Sequence, residues 1–347
     1  MAIDFRPYIE RNQFIDALKG LLMILVIVGH SIQYGSGQCY CEKELFYNSF
    51  VYKAIYTFHM PMFMIISGYL FGFSCKKRLN VIILSRLKSI AIPFLAFCTI
   101  VYFVWWYLNG VSFFYLSDYL RKMKINMWFL SSVFFNGIIV ALITHLFKKY
   151  NSLILVCLFF VLLFLPDETI YAPHKYMYLY FIVGYWFNNK KECMDKTVMF
   201  IDTNWVRAVL FLCFVLIVYL YSAEKFIYKG GICVMRNGFV DDHMIVLDTL
   251  RYFDGFICCL FFLSISRFFK KYMTNSLFIF FGKYSLGIYG FQSIAFSLIY
   301  ENLSCPTFVN YDCSLPVLLF IVVTLLSACL VWICSYNRFV SMLFLGK

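Results

Sequence analysis

Residues 14–32 read FIDALKGLLMILVIVGHSI, an apolar run long enough to cross a bilayer as one helix yet carrying Asp16, Lys19 and His30. A charge at the centre of such a helix typically costs ~2.5 to 3.5 kcal/mol on insertion scales, so ionisable groups there need partners or a task. At ~100° per residue, the steps from Lys19 to His30 turn the helix by ~1100°, within about 20° of three full turns. Both side chains therefore emerge on one face, about 16 Å apart along the axis, and Asp16 falls within about 40° of His30. The helix presents a polar stripe that links two depths of the membrane.

The rest of the chain shares this apolar character. Of its 347 residues 63% are hydrophobic and 14% charged, and the mean hydropathy is +0.78, outside the range of soluble domains. Further apolar windows lie near 50–73, 90–108, 125–147, 152–165, 170–187, 205–222, 246–266, 277–300 and 315–336. The expected fold is thus all-α, a single polytopic helix bundle over 1–347 with about ten spans and no separate soluble domain. Pro166 interrupts the fifth window, which reads as tilted or broken. The opening stretch is expected to be a mature first helix and not a cleaved leader, since it is span-length and ionisable.

Connecting charges set the expected orientation. With the N-terminus inside, inner segments hold Arg6, Arg11, Lys76, Lys77, Arg78, Arg86, Lys88, Lys148, Lys149, Lys190, Lys191, Lys196, Arg267, Lys270, Lys271, Arg338 and Lys347. The outer set is smaller: Lys43, Arg121, Lys122, Lys124, Lys175, Lys225, Lys229 and Arg236, so both termini are expected in the cytoplasm. The net charge of +12 then reflects topology and membrane lipids, and calls for no nucleic acid. Among the outward cysteines Cys39, Cys41, Cys233, Cys305 and Cys313, sequence fixes no connectivity, and no spacing suggests a metal site. Trp105, Trp106, Tyr107, Tyr176, Tyr178 and Tyr180 sit where helices should leave the bilayer, as an interfacial aromatic belt.

A second histidine, His59, lies in Phe58-His59-Met60-Pro61, and both histidines approach the outer half of the membrane. Pro61 removes a backbone donor, so this helix is expected to kink, and Gly68 permits close packing. Asp248, Arg251 and Asp254 share one face of a later window; an internal ion pair that holds the bundle is the main reading, acceptor sugar binding the second. The breaks after Gly35 and Ala223 point outward and are placed to roof a site.

In this order the motifs resemble the acyltransferase 3 family of integral membrane acyltransferases, in particular its sugar O-acetylase branch. Asp16-Ala17-Leu18-Lys19-Gly20 with His30 is similar to the family's opening pattern, with lysine where the family has arginine; lysine keeps the charge but lacks the planar fork. Phe58-His59-Met60-Pro61-Met62-Phe63 with Ser67-Gly68-Tyr69-Leu70 resembles the second-span segment, Arg86-Leu87-Lys88 before Pro93 the basic stretch of the third, and Trp128-Phe129-Leu130 the signature of the fourth. Gly282-Lys283-Tyr284-Ser285-Leu286-Gly287-Ile288-Tyr289 is similar to the late segment, which often ends in histidine where Gln292 stands here.

The resemblance implies transfer of an acyl group, commonly acetyl, from cytoplasmic acyl-CoA to a hydroxyl of an envelope glycan or lipid-linked saccharide, in a bacterial cytoplasmic (inner) membrane. Acetyl-CoA or another acyl-CoA is then the donor substrate, and no cofactor is bound permanently. His30 is the expected base or transient acyl carrier, with Lys19 and Asp16 beside it. Arg86, Lys88, Lys76, Lys77 and Arg78 are candidates for the donor's phosphates, and His59, Ser67, Trp128, Ser285 and Arg251 for positioning substrate. The competing reading is a carrier or exporter of a saccharide or small solute, whose polar stripe lines a pathway. No inverted repeat is evident to favour it.

Overall fold

A computed structural model describes residues 12–35, 45–110, 115–165, 171–227, 231–236, 239–302 and 314–347. The first helix, α1 (Gln13–Gly35), starts where the Asn12 carboxamide accepts from the Phe14 backbone N–H at 3.0 Å, a side-chain N-cap. After the short α2 (Leu45–Asn48), α3 (Phe50–Tyr56) and α4 (His59–Ser74) form one apolar stretch broken at Thr57 and Phe58. The break lies one turn before Pro61, whose ring cannot donate to, and clashes with, the carbonyl of residue 57 in a continuous helix.

The helix α5 (Leu79–Arg86) passes through a π-turn at Leu87–Ala91 into α6 (Ile92–Leu108), which carries Pro93 in its first turn. There follow α7 (Leu116–Asn126), α8 (Trp128–Leu146), α9 (Asn151–Phe164), α10 (Ala172–Asn189), α11 (Lys191–Ile201) and α12 (Asn204–Tyr219). A two-residue hairpin, β1 (Met235–Arg236) against β2 (Phe239–Val240), precedes α13 (Asp242–Phe268). The chain continues through α14 (Lys270–Met273), α15 (Ser276–Lys283), α16 (Ser285–Asn302), α17 (Ser314–Tyr336) and α18 (Arg338–Leu345).

Among the described residues five helical stretches are long and apolar enough to cross a membrane: Gln13–Gly35, Phe50–Ser74, Leu79–Leu108, Trp128–Leu146 and Ser314–Tyr336. A sixth arises if Lys191–Ile201 and Asn204–Tyr219, bent by 82°, count as one. The remaining apolar windows fall short for separate reasons. At ~1.5 Å per residue the 14 residues of α9 span about 21 Å, less than a hydrocarbon core of ~30 Å. The window near 277–300 is split at Tyr284 between α15 and α16, and α13 holds Asp248, Arg251 and Asp254.

Two helix pairs form the centre. The first crossing brings α1 onto α15: a Cβ added to Gly20 would lie 1.9 Å from the Phe278 carbonyl oxygen, and one on Gly282 would lie 1.7 Å from that of Asp16. Such backbone-to-backbone contact is what small residues permit between membrane helices. The second joins α4 to α10, where Gly68 meets the Phe181 carbonyl and Gly184 meets that of Ile65, each at 2.0 Å from an added Cβ.

The aromatic residues expected to form a belt differ in burial. Tyr107 is 79% exposed at the end of α6, whereas Tyr176, Tyr178 and Tyr180 are buried in the core. Their hydroxyls reach inward, Tyr178 to the Leu155 carbonyl at 3.0 Å, Tyr180 to Tyr176 at 3.0 Å, and Tyr176 to the Arg251 carbonyl at 3.3 Å. A tyrosine with an internal acceptor satisfies its hydroxyl without water, so nothing holds these rings at the interface. Of the five cysteines expected to face outward, Cys233 is a free thiol donating to the Met235 carbonyl at 2.7 Å; the other four lie outside the described residues.

Candidate functional site

The polar stripe of α1 is built as the helical wheel requires. Lys19 Nζ lies 3.0 Å from Asp16 Oδ1, with Asp16 buried and Lys19 partly exposed. The pair stands at the α1–α15 crossing, so the segments beginning at Asp16 and at Gly282, far apart in sequence, meet through their glycines. Glycine at both positions lets the main chains touch, and the Asp16 carbonyl packs directly on Gly282.

Three turns further along α1, His30 faces α16. Its Nδ1 is 3.3 Å from Oε1 of Gln292, which is fully buried. The ring is boxed by edge contacts to Phe296 at 5.7 Å and Tyr34 at 6.4 Å, and those two rings stack on each other at 4.9 Å. The imidazole is thus turned into the bundle. Gln292, which sequence reasoning noted only as standing near a family position, is the residue that the fold brings to His30.

His59 is the first residue of α4, and the Pro61-associated break determines its surroundings. Its Nδ1 lies 2.8 Å from the Ile55 carbonyl, which also accepts from the Phe58 backbone N–H at 3.3 Å. A carbonyl only accepts, so Nδ1 carries the proton and Nε2 is left as the acceptor nitrogen. Tyr56 links the two histidine regions: its ring stands T-shaped to His59 at 4.6 Å, an added Cβ on Gly29 would lie 2.9 Å from it, and its hydroxyl donates to Gln33 Oε1 at 3.4 Å. Neither Tyr56 nor Gln33 carried a sequence signal, since a tyrosine at a helix end reads as interfacial.

Beside His59 lies a small cavity of about 20 Å³, lined also by Tyr56, Tyr176, Tyr221, Lys225 and Phe226. That volume suits roughly one water. Its roof is the segment after α12, and this segment is held by α13. Arg251, 2% exposed, pairs with Asp248 at 2.7 Å and donates to the carbonyls of Lys225 at 3.1 Å, Gly231 and Glu224. Asp254 accepts from Lys225 Nζ at 2.7 Å. The structural reading of this charge cluster is therefore the one the geometry displays: Arg251 directs its donors to Asp248 and to the roof, and Asp254 pairs with Lys225.

At the opposite end of the bundle the basic candidates separate into two kinds. Arg86 turns inward, its guanidinium 4.6 Å over the Phe71 ring and 3.6 Å from where a Cβ on Gly137 would stand. Lys76, Lys77, Arg78 and Lys88 are exposed. His145 ties the loop between α4 and α5 to α8, with its Nε2 2.9 Å from the Lys77 carbonyl and Nδ1 2.8 Å from that of Ala141. The Ser67 hydroxyl donates to its own helix at Phe63, while Trp128 and Ser285 begin α8 and α16. Among the described residues neither Ser67 nor Ser285 shares a hydrogen bond with His30. A pairing with no sequence signal is His174 Nδ1 with the Ser132 hydroxyl at 2.7 Å.

A family model described as an acyltransferase domain matches residues 12–336, which includes both glycine crossings and both histidines. Two curated relatives are nodulation proteins NolL. The one from Mesorhizobium japonicum is 30% identical over 187 residues, covering 51% of this chain and 48% of the relative. The one from Sinorhizobium fredii is 31% identical over 199 residues, covering 55% and 52%. The matched region thus spans about half the length of these relatives. No solved structure matches the chain. With a match running through nearly the whole bundle, the chain belongs to the acyltransferase 3 family.

Proposed function

We propose that the protein is a membrane O-acyltransferase, moving an acyl group, acetyl in the simplest case, from cytoplasmic acyl-CoA to a hydroxyl of an envelope glycan or a lipid-linked saccharide. The observation that carries this reading is His30 inside the bundle, its Nδ1 turned to Gln292, on the helix that also holds the Lys19–Asp16 pair. In this reading both termini are cytoplasmic, with Lys19 toward the donor side and His30 toward the acceptor side. Arg86 is the inward-facing cation for the donor's phosphates, and Lys76, Lys77, Arg78 and Lys88 draw the anionic donor to that face.

The step is general-base acyl transfer. The acceptor oxygen attacks the thioester carbon and a C–O bond forms while His30 takes the hydroxyl proton. Collapse of the tetrahedral intermediate breaks the C–S bond, and the imidazolium returns the proton to the coenzyme A thiolate. Exclusion of bulk water by the packed helices protects the thioester from hydrolysis.

The test is purified protein in liposomes with labelled acetyl-CoA and candidate glycans, compared with His30→Ala. Loss of label transfer by ~100-fold or more in the variant is expected for removal of a base. Equal transfer in the two proteins removes His30 from the chemistry, and no transfer by the wild-type protein with any acyl-CoA removes the reading itself.

A further inference from the structure

Gln292 is fully buried, and among the described residues its amide Nε2 has no hydrogen-bond partner, while its Oε1 faces His30 Nδ1 at 3.3 Å. Leaving a buried amide donor unmade is unfavourable, so such a group calls for an explanation, and a ligand that completes the bond supplies one. Its position is held firmly. One turn of α16 includes Gly290, where an added Cβ would stand 2.2 Å from the Phe97 ring of α6, so the helix is seated with little freedom to rotate. Phe296, one turn beyond Gln292, closes the other side of the imidazole.

We propose that Gln292 serves both ends of the transfer: its carbonyl oxygen holds His30 in the Nδ1–H tautomer, and its free N–H is the donor to the carbonyl oxygen of the acyl group. An amide oxygen facing the ring can only accept, so Nδ1 carries hydrogen and Nε2 is the nitrogen that takes the acceptor's proton. The negative charge that the acyl oxygen gains as the C–O bond forms then meets the N–H of the same amide that orients the base. One residue thereby fixes where the proton goes and where the charge develops. This rests on the transferase reading above.

The experiment has two readouts. Imidazole ¹⁵N spectra of histidine-labelled protein in micelles, with His30→Ala used only to identify the signal, report the tautomer without any catalysis. Wild type is expected to show Nδ1–H. Gln292→Glu, which keeps an acceptor but lacks the amide donor, retains that tautomer; Gln292→Met loses the preference. In transfer assays both variants, checked for folding by size-exclusion chromatography, are expected to lose ~100-fold or more in kcat, with the donor's KM changed less than ~3-fold. An Nε2–H signal for wild-type His30, or a Gln292→Met protein with wild-type kcat, overturns the proposal. A wild-type chain inactive with every acyl-CoA sinks the transferase reading and the amide's role toward the acyl oxygen with it, whereas the imidazole signal still decides the positioning.

Discussion

Gly282→Ala would place a methyl group where no space exists. The added Cβ would stand 1.7 Å from the Asp16 carbonyl oxygen, while Cβ contacts under 3.0 Å essentially never occur, so α1 and α15 must part by about 1.3 Å. The atoms it meets are backbone on both sides, so no side-chain rotation relieves it. Overpacking of this kind costs ~1 to 3 kcal/mol. The displacement falls on the residue that carries the Lys19 partner, and misplacing a catalytic group by ~1 Å can lower a rate ~100-fold. Thermal unfolding in detergent and label transfer in liposomes read the two effects. Gly137→Ala is the control, because its nearest neighbour, the Arg86 guanidinium, is 3.6 Å away and helical alanine gains ~0.4 to 1 kcal/mol over glycine. A Gly282→Ala protein as stable and as active as Gly137→Ala would refute the close crossing and the argument built on it.

Lys19→Arg keeps the charge beside Asp16 and adds a second donor arm, so transfer is expected to be retained or raised; complete loss in the rate assay would show that the ammonium group has a task of its own. Arg86→Gln should raise the KM for the acyl-CoA donor ~10-fold or more, as for loss of a charge-assisted bond, whereas neutralising Lys76, Lys77 and Arg78 together should weaken donor binding only at low salt. Titrating the donor at two ionic strengths separates these cases, and equal salt dependence contradicts the division. Arg251→Met breaks the buried pair with Asp248 and releases the roof, costing ~3 to 5 kcal/mol; protease cleavage near residues 224–231 should accelerate, and an unchanged cleavage rate would show that the clamp is unimportant.

The stripe on α1 was legible because helical geometry is fixed by the backbone: spacing alone placed Asp16 against Lys19 and turned His30 to the same face. The charge cluster at Asp248, Arg251 and Asp254 was legible as internal pairing, but its partners were not. Which acid Arg251 meets depends on the path of a loop, and Lys225 arrives from 29 residues away in sequence to take Asp254. Tyr176, Tyr178 and Tyr180 misled for a related reason. A tyrosine has the same amphipathic signature at a membrane surface and in a core that supplies an acceptor, and only the neighbouring helices decide between them. The count of ten spans is not confirmed among the described residues, because apolar windows do not tell where helices stop. Tyr284 ends one helix and Ser285 starts the next inside a single window. Gln292 was visible as a residue type but not as a neighbour, since 262 positions separate it from His30.

The interruption between α3 and α4 also changes what evolution can alter around His59. Its orienting partner is main chain, so no replacement of Ile55 deletes it; every side chain there leaves the same oxygen in place. Pro61 acts at one remove: in a continuous helix the N–H of residue 61 would bond the carbonyl of residue 57, so another residue there would favour closing the break at Thr57 and Phe58 that sets His59 beside Ile55. A survey of side-chain substitutions would therefore pass over the residue whose oxygen does the holding.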